Sequence, residues 1–137
     1  MAKDIYHNLV RAALENEGWI ITADPFTLTA GKRGVYVDLA AEKPIFAERE
    51  SRKIAVEVKS FVSPSPVKDF EAALGQYLLY QVLLSKQEAS RTLYLAIREE
   101  IYVGFFSEEI VKSTLEIHPI HLMVFEQEQG GSLKWIN

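Results

Sequence analysis

The stretch that most constrains this chain is Val56-Glu57-Val58-Lys59, in which a carboxylate and an amine stand two positions apart in apolar sequence. In an extended strand, residues two apart point to the same face, so Glu57 and Lys59 share one face and the two valines share the other. The valine face favours burial. The pattern therefore predicts a strand that presents a charged pair on one surface while its opposite surface packs in the core.

A single acid interrupts the apolar run 35–41, which reads as one strand with Asp38 at its middle. Aspartate disfavours strands, and its charge resists desolvation, so a lone Asp in such a run indicates a residue that binds something. Asp38 and Glu57 are 19 positions apart, a separation that two strands and a connecting turn can bridge. On neighbouring strands, Asp38, Glu57 and Lys59 form a small acidic pocket with a fixed cation beside it.

Composition limits the fold and function classes. A chain of 137 residues with 48% hydrophobic residues is long enough for one globular domain over 1–137. With no cysteine, it has no disulfide framework and no thiolate site. No segment resembles a signal peptide or a membrane span, so we expect a cytoplasmic protein without a membrane partner. The net charge of -4 argues against tight, non-specific nucleic-acid binding.

Hydrophobic periodicity and turn residues give the order of elements. Helices are predicted over 3–17, ended by Gly18, over 67–86, introduced by Ser63-Pro64-Ser65-Pro66, and over 105–117. Strands are predicted at 19–22, 26–29, 35–41, 45–48, 53–61, 91–97, 121–126 and 132–136, with interruptions at 42–44, 50–52 and 129–131. Helices interleaved with strands indicate an α/β domain with a mixed central sheet flanked by helices.

Asp38, the Glu57-Val58-Lys59 stretch and the helix and strand that follow resemble the PD-(D/E)xK nuclease family. The resemblance implies a restriction endonuclease-like fold, with an α-βββ-α-β core over 3–97 and a third helix and C-terminal strands beyond it. It also implies a Mg²⁺ or Mn²⁺ ion held by the carboxylates of Asp38 and Glu57 and the carbonyl of Val58. Lys59 is then expected to orient or deprotonate the attacking water or to stabilise the transition state.

The second predicted helix carries a further pair, Gln76 and Tyr80, which are four residues apart and hence on one helix face. They resemble the Q-x-x-x-Y pattern of RecB-like nucleases, which implies that both residues position the metal site or the DNA.

Valine precedes Asp38 where the family has proline. The resemblance also implies a first-helix glutamate. Glu15 and Glu17 are both candidates, and the sequence does not decide between them or show whether His7 joins the site.

The chain as a whole resembles the XisH family, cyanobacterial proteins named as controlling factors for excision of the fdxN DNA element. The similar segments are 2–7, 18–22, 24–25, 35–39, 54–61, 73–77, 124–125 and 134–136. The resemblance implies a role in programmed, site-specific DNA excision, with DNA, a small XisI-type protein and a site-specific recombinase as partners. Self-association into a homo-oligomer stays open. Two functions follow: a Mg-dependent endonuclease, or a non-catalytic module that binds DNA or a partner and regulates the recombinase.

Overall fold

Helices and strands alternate through residues 2–45, 50–128 and 131–137, which are the residues described by the computed structural model. The helices are α1 (Ala2–Asn16), α2 (Pro66–Gln87), α3 (Glu99–Val103) and α4 (Glu109–Ile117), with a short 3-10 helix at Phe105–Ser107. The strands are β1 (Ile20–Ala23), β2 (Phe26–Ala30), β3 (Arg33–Val37), β4 (Leu39–Ile45), β5 (Glu50–Val58), β6 (Arg91–Arg98), β7 (Leu122–Phe125) and β8 (Leu133–Ile136).

The central sheet has six strands in the order β1-β4-β5-β6-β7-β8. Its middle strands β5, β6 and β7 are parallel, and the flanking pairs are antiparallel. Strands β2 and β3 form a separate two-stranded sheet, turned at Gly31 with a positive φ of 63°. The fold is thus a mixed α/β domain with a mixed central sheet flanked by helices, as the sequence predicted.

Each face of the central sheet packs against different elements. On one face, Val10 and Leu14 of α1 pack against a cluster that includes Val56 and Val58 of β5. On the other face, α2, the β2–β3 hairpin and the segment after β6 cover a cluster that includes Ala55 of β5. This alternation confirms that the valines of β5 share a buried face, and it directs Glu57 toward the α2 side.

Both long helices begin or end where the sequence predicted. After α1, Gly18 has a φ of 92°, a left-handed conformation that glycine adopts without steric penalty. Before α2, the Ser65 hydroxyl accepts a hydrogen bond from the Lys68 backbone N–H at 3.3 Å, and Pro66 occupies the first turn. In the part of the chain that the structure describes, no helix is both long enough and apolar enough to span a membrane.

The prediction of one strand over 35–41 is wrong. The chain bends at Asp38, so that β3 ends at Val37 and β4 begins at Leu39. The two halves pair differently, because β3 pairs with β2 whereas β4 pairs with β1 and β5. Asp38 therefore lies at a junction between two sheets rather than inside a strand.

The predicted interruptions at 42–44 and 50–52 are also wrong, because both segments belong to the paired strands β4 and β5. Pro44 is tolerated there because β1 begins at Ile20, opposite Glu42, so at Pro44 strand β4 pairs on one side only. Of the predicted strand 45–48, residues 46–48 lie outside the described residues, as do residues 129–130 of the predicted turn.

The third helix is shorter than predicted and is preceded by two other helical segments. Glu99–Val103 forms α3, Phe105–Ser107 forms the 3-10 helix, and α4 begins only at Glu109. Phe105 and Phe106 are buried, and the centroids of both rings lie within 6.0 Å of the ring centroids of Phe61 and Phe70. Burial of these adjacent aromatic residues accounts for the break in the helix.

Candidate functional site

Asp38 and Glu57 meet where the β4–β5 ladder ends. Leu39 pairs with Val56, so Asp38 stands beside Glu57 at the next position. The Asp38 backbone N–H donates a hydrogen bond to Glu57 Oε1 at 3.1 Å, and the Val58 N–H donates to Asp38 Oδ2 at 2.8 Å. The Glu57 carboxylate is thus held by the backbone of Asp38. The Asp38 carboxylate is held by the backbone of Val58, the residue next to Glu57. The structure brings the two predicted carboxylates together on one side of the sheet.

Lys59 completes the group of charges. It is the first residue after β5, and its backbone N–H still donates to the Ala96 carbonyl of β6 at 3.0 Å. Its Nζ lies 3.4 Å from Glu57 Oε2, and 23% of its side chain is exposed, against 8% for Glu57. The amine therefore lies at the open edge of the site, while the glutamate beneath it is almost fully enclosed.

The surroundings of Glu57 disfavour its charge. Burial and the negative charge of Asp38 raise its pKa to about 7, although Lys59 and the hydrogen bond from the Asp38 backbone oppose the shift. A carboxyl group that titrates near neutrality can exchange a proton, and it gains from any cation that restores its ionised form. Electrostatics thus mark Glu57 as the centre of the site.

Tyr80 reaches the same charges from α2. Burial, followed by the charges of Glu57 and Asp38, raises the pKa of Tyr80 to about 12, so its hydroxyl stays protonated as a donor at neutral pH. Gln76 lies one turn earlier on α2, and its side-chain oxygen is buried with no hydrogen-bond partner in the described part of the chain. Buried polar atoms are rarely left unpaired, so this oxygen is available to a ligand.

The donors at the site suit a hard divalent cation. Two carboxylates and the Val58 carbonyl are all oxygen ligands, the type that Mg²⁺ and Mn²⁺ prefer. Within residues 2–45, 50–128 and 131–137, no three His, Cys, Asp or Glu side chains converge on a metal position. A cation here would therefore depend on two acids, with backbone oxygen and water supplying the remaining ligands.

A cavity of about 260 Å³ opens beside Lys59 and is also lined by Ser63 and Asp69. It gives a ligand access to the amine from the solvent side. A larger cavity of about 510 Å³ lies between the α3–α4 region and β7, where its lining is mostly apolar. The smaller cavity is the one that adjoins the charged cluster.

Arg98 supports this region and was not predicted. It is buried at the end of β6, and its guanidinium donates hydrogen bonds to the Ser60 and Phe61 carbonyls, the latter at 3.5 Å. Phe61 has a φ of 50°, an uncommon left-handed conformation for a non-glycine residue. Arg98 thus fixes the turn that follows Lys59. The available signal was an arginine directly after the apolar run 91–97.

The first-helix candidates make other contacts. His7 Nε2 lies 2.9 Å from Asp24 Oδ1, and Glu15 lies 3.9 Å from Arg11. Glu17 accepts hydrogen bonds from the Leu133 N–H at 3.1 Å and the Trp135 ring N–H at 3.4 Å. Glu17 therefore ties α1 to β8, and His7 ties α1 to the end of β1.

Comparison with known proteins decides the family. The family model described as XisH protein matches residues 1–131, which is nearly the whole chain. The chain belongs to the XisH family. The whole-chain resemblance seen in the sequence is thereby confirmed.

Two solved structures are similar to this XisH family chain. The crystal structure of an XisH family protein from Nostoc punctiforme PCC 73102 has 36% sequence identity and a TM-score of 0.88, covering 98% of this chain and 100% of that chain. The crystal structure of a fdxN element excision controlling factor protein from Anabaena variabilis has 38% identity and a TM-score of 0.86, covering 98% and 99%. Among curated proteins, none matches the chain.

Proposed function

We propose that this XisH family protein is a controlling factor for programmed, site-specific excision of a DNA element. The proposal is supported by its whole-length similarity to the fdxN element excision controlling factor from Anabaena variabilis. Its partners in this role are DNA, a small XisI-type protein and a site-specific recombinase.

Within that role, the chain acts as a metal-dependent endonuclease that cuts or nicks DNA on a restriction endonuclease-like core. One observation carries this proposal: at the end of the β4–β5 ladder, the Glu57 carboxylate accepts a hydrogen bond from the Asp38 N–H and the Asp38 carboxylate accepts one from the Val58 N–H, with the Lys59 amine 3.4 Å from Glu57. Two acids and a lysine so arranged are the groups that phosphodiester hydrolysis needs.

The residues have distinct parts in this reaction. Asp38, Glu57 and the Val58 carbonyl would hold Mg²⁺ or Mn²⁺, which when bound supplies Lewis acidity and offsets the phosphate charge. Lys59, at the exposed edge, orients the attacking water or takes its proton and faces the phosphate. Tyr80, protonated at neutral pH, and Gln76, with its unpaired oxygen, position the acids or the DNA from α2.

A second function is favoured by a different observation. The net charge is -4, and among the described residues only two acids, rather than three, approach a metal position. The missing third acid suits a non-catalytic module that binds DNA or a partner protein and regulates the recombinase, and the negative net charge favours the partner protein as its ligand.

A plasmid-nicking assay with Mg²⁺ or Mn²⁺ tests the endonuclease proposal. The wild type is compared with Glu57→Gln, Asp38→Asn and Lys59→Ala, and with Lys68→Ala as a matched control because its side chain is 79% exposed. We expect cleavage by the wild type and the control, and a loss of at least about 100-fold in the three site variants, as for removal of a general base or charge-stabilising group.

Calorimetric titration of Mn²⁺ gives a readout that does not depend on cleavage. Glu57→Gln should weaken Mn²⁺ binding, and Lys59→Ala should not, since its amine is not a metal ligand. A folded wild type that cuts no plasmid, linear or single-stranded substrate with either metal, yet binds DNA or a partner, would overturn the endonuclease in favour of the module.

A further inference from the structure

The solvent side of α2 is unusually apolar. Leu78, Leu79 and Val82 are 53%, 50% and 53% exposed, and Ala72 and Gly75 are exposed beside them. We call these five residues the outer α2 face. The opposite side of the helix is buried and is also apolar, with Phe70, Ala73, Tyr77, Tyr80 and Leu84. Adjacent exposed apolar residues on a helix often mark a contact surface, so the outer α2 face is expected to be covered by another helix or chain.

The residue spacing along this face suits another helix. Glu71, Gly75, Leu78 and Val82 follow one another at alternating intervals of four and three residues, the spacing of a helix–helix seam. Within the described structure, a Cβ added at Gly75 would meet nothing within 4 Å. Glycine in a helix interior lowers helix stability, and no contact with the described residues requires it here. A close approach by another helix gives Gly75 a use, because its missing side chain leaves a notch.

Charges at the two ends of the face indicate what covers it. Glu71 stands toward the N-terminal end of α2, where Lys68 lies 4.0 Å from it, and Lys86 stands toward the C-terminal end; all three side chains are exposed. A helix that complements this pattern needs a cation opposite Glu71 and an anion opposite Lys86. An antiparallel copy of α2 itself meets that need.

We propose that the outer α2 face is the interface of a homodimer with twofold symmetry. The symmetry axis passes beside Leu78 and Leu79, so that Leu78 of one copy packs on Leu79 of the other. In the same register Val82 of one copy enters the notch at Gly75 of the other, and Glu71 lies opposite Lys86. Every contact occurs twice, as an isologous interface requires. A parallel arrangement would instead place Glu71 against Glu71.

This dimer is independent of the proposed nuclease function. Tyr80 projects from the opposite side of α2 toward Glu57 and Asp38, and of the five residues of the outer α2 face only Ala72 also lines the cavity beside Lys59. One helix pair makes a small interface, and we expect a dissociation constant on the order of micromolar.

Sedimentation equilibrium of the full chain across a concentration series tests the proposal. Leu79→Glu should weaken dimerisation by at least about 100-fold, because it buries an unpaired charge twice. Glu71→Lys and Lys86→Glu should each weaken it roughly tenfold, and the double variant Glu71→Lys/Lys86→Glu should restore it to within about threefold of the wild type. Ile110→Glu, at an equally exposed apolar position on α4, is the matched control and should leave the dimer unchanged.

Cross-linking tests the position of the axis without destabilising the contact. Because the chain has no cysteine, Leu78→Cys introduces a single thiol beside the axis, and oxidation should yield a covalent dimer. Ile110→Cys should not form one. A wild type that stays monomeric up to millimolar concentration overturns the proposal, and means that a chain of different sequence covers the face. A dimer that is insensitive to Leu79→Glu and to the charge variants also overturns it, because another surface then holds the copies together.

Discussion

Replacing Glu57 with glutamine is expected to stabilise the protein at alkaline pH. The pKa of Glu57 is about 7 in the folded protein, against an ordinary value of 4.5, because of burial and the nearby Asp38 charge. That difference is worth about 3 kcal/mol, and it is the free energy by which the ionised side chain destabilises the fold. Glutamine has the shape of the protonated acid and carries no charge, so Glu57→Gln removes this term.

The sign of the effect depends on pH. Between about pH 4.5 and pH 7 the folded protein binds more protons at Glu57 than the unfolded chain does, so its stability falls as the pH rises. Below pH 4.5 the side chain is protonated in both states, and the variant and wild type should have similar free energies of unfolding. Above pH 7 the full difference applies, and Glu57→Gln should be more stable by about 2–3 kcal/mol.

Urea denaturation of both proteins from pH 4 to pH 8.5 measures the difference directly. Glu116→Gln is the matched control, since the Glu116 side chain is exposed on α4, and its curve should run parallel to that of the wild type. A gap between wild type and Glu57→Gln that does not change with pH would refute the reasoning, because Glu57 would then ionise as an exposed acid does. A variant that is less stable than the wild type at every pH would show that the Lys59 ion pair is structural.

Three further outcomes are expected. Adding Mg²⁺ at pH 8 should raise the Tm of the wild type by several degrees but not that of Glu57→Gln, as measured by calorimetry, since a bound cation favours the ionised carboxylate. Lys59→Ala should raise the pKa of Glu57 further, followed by NMR titration, and should shift the Tm only slightly, because the amine lies at the exposed edge of the site. Arg98→Ala should lower the free energy of unfolding by about 2–4 kcal/mol in urea, because two carbonyls lose a buried donor, whereas the exposed Arg33→Ala should change it by less than about 0.5 kcal/mol.

Features set by local pattern were predictable from the sequence. The alternation in Val56-Glu57-Val58-Lys59 correctly gave the faces of Val56, Glu57 and Val58, because one face of β5 packs on α1. The strand ends at Val58 rather than at Phe61 as predicted, so Lys59 lies just beyond it. The start of α2 followed from Ser65 and Pro66, whose capping roles involve only neighbouring residues. These signals lie within a few positions along the chain, and tertiary contacts reinforce them.

Features set by distant pairing were not predictable. Nothing local marks a break in the run 35–41, because the bend at Asp38 arises where pairing changes from β2 to β1 and β5. The same bend turns the Asp38 N–H toward Glu57. The hydrogen bond from Asp38 to the Glu57 carboxylate therefore depends on the junction between the two sheets. Arg98 was missed for a similar reason, since its acceptors are carbonyls more than 30 residues earlier in the chain.

The destabilising effect of ionised Glu57 on the fold bears on the choice between catalysis and a binding module. An ionised carboxylate buried beside Asp38, with Lys59 as its nearby cation, lowers the stability of the fold. A module that needs only the shape of the domain gains nothing from this arrangement, so Glu57→Gln would leave its binding intact while making it more stable. A site that takes up a cation regains the lost free energy when the cation binds, and the same substitution would then abolish its function. Stability and function measured on this one variant therefore separate the two proposals, because a gain in stability accompanied by a loss of function is expected only if Glu57 acts on a ligand.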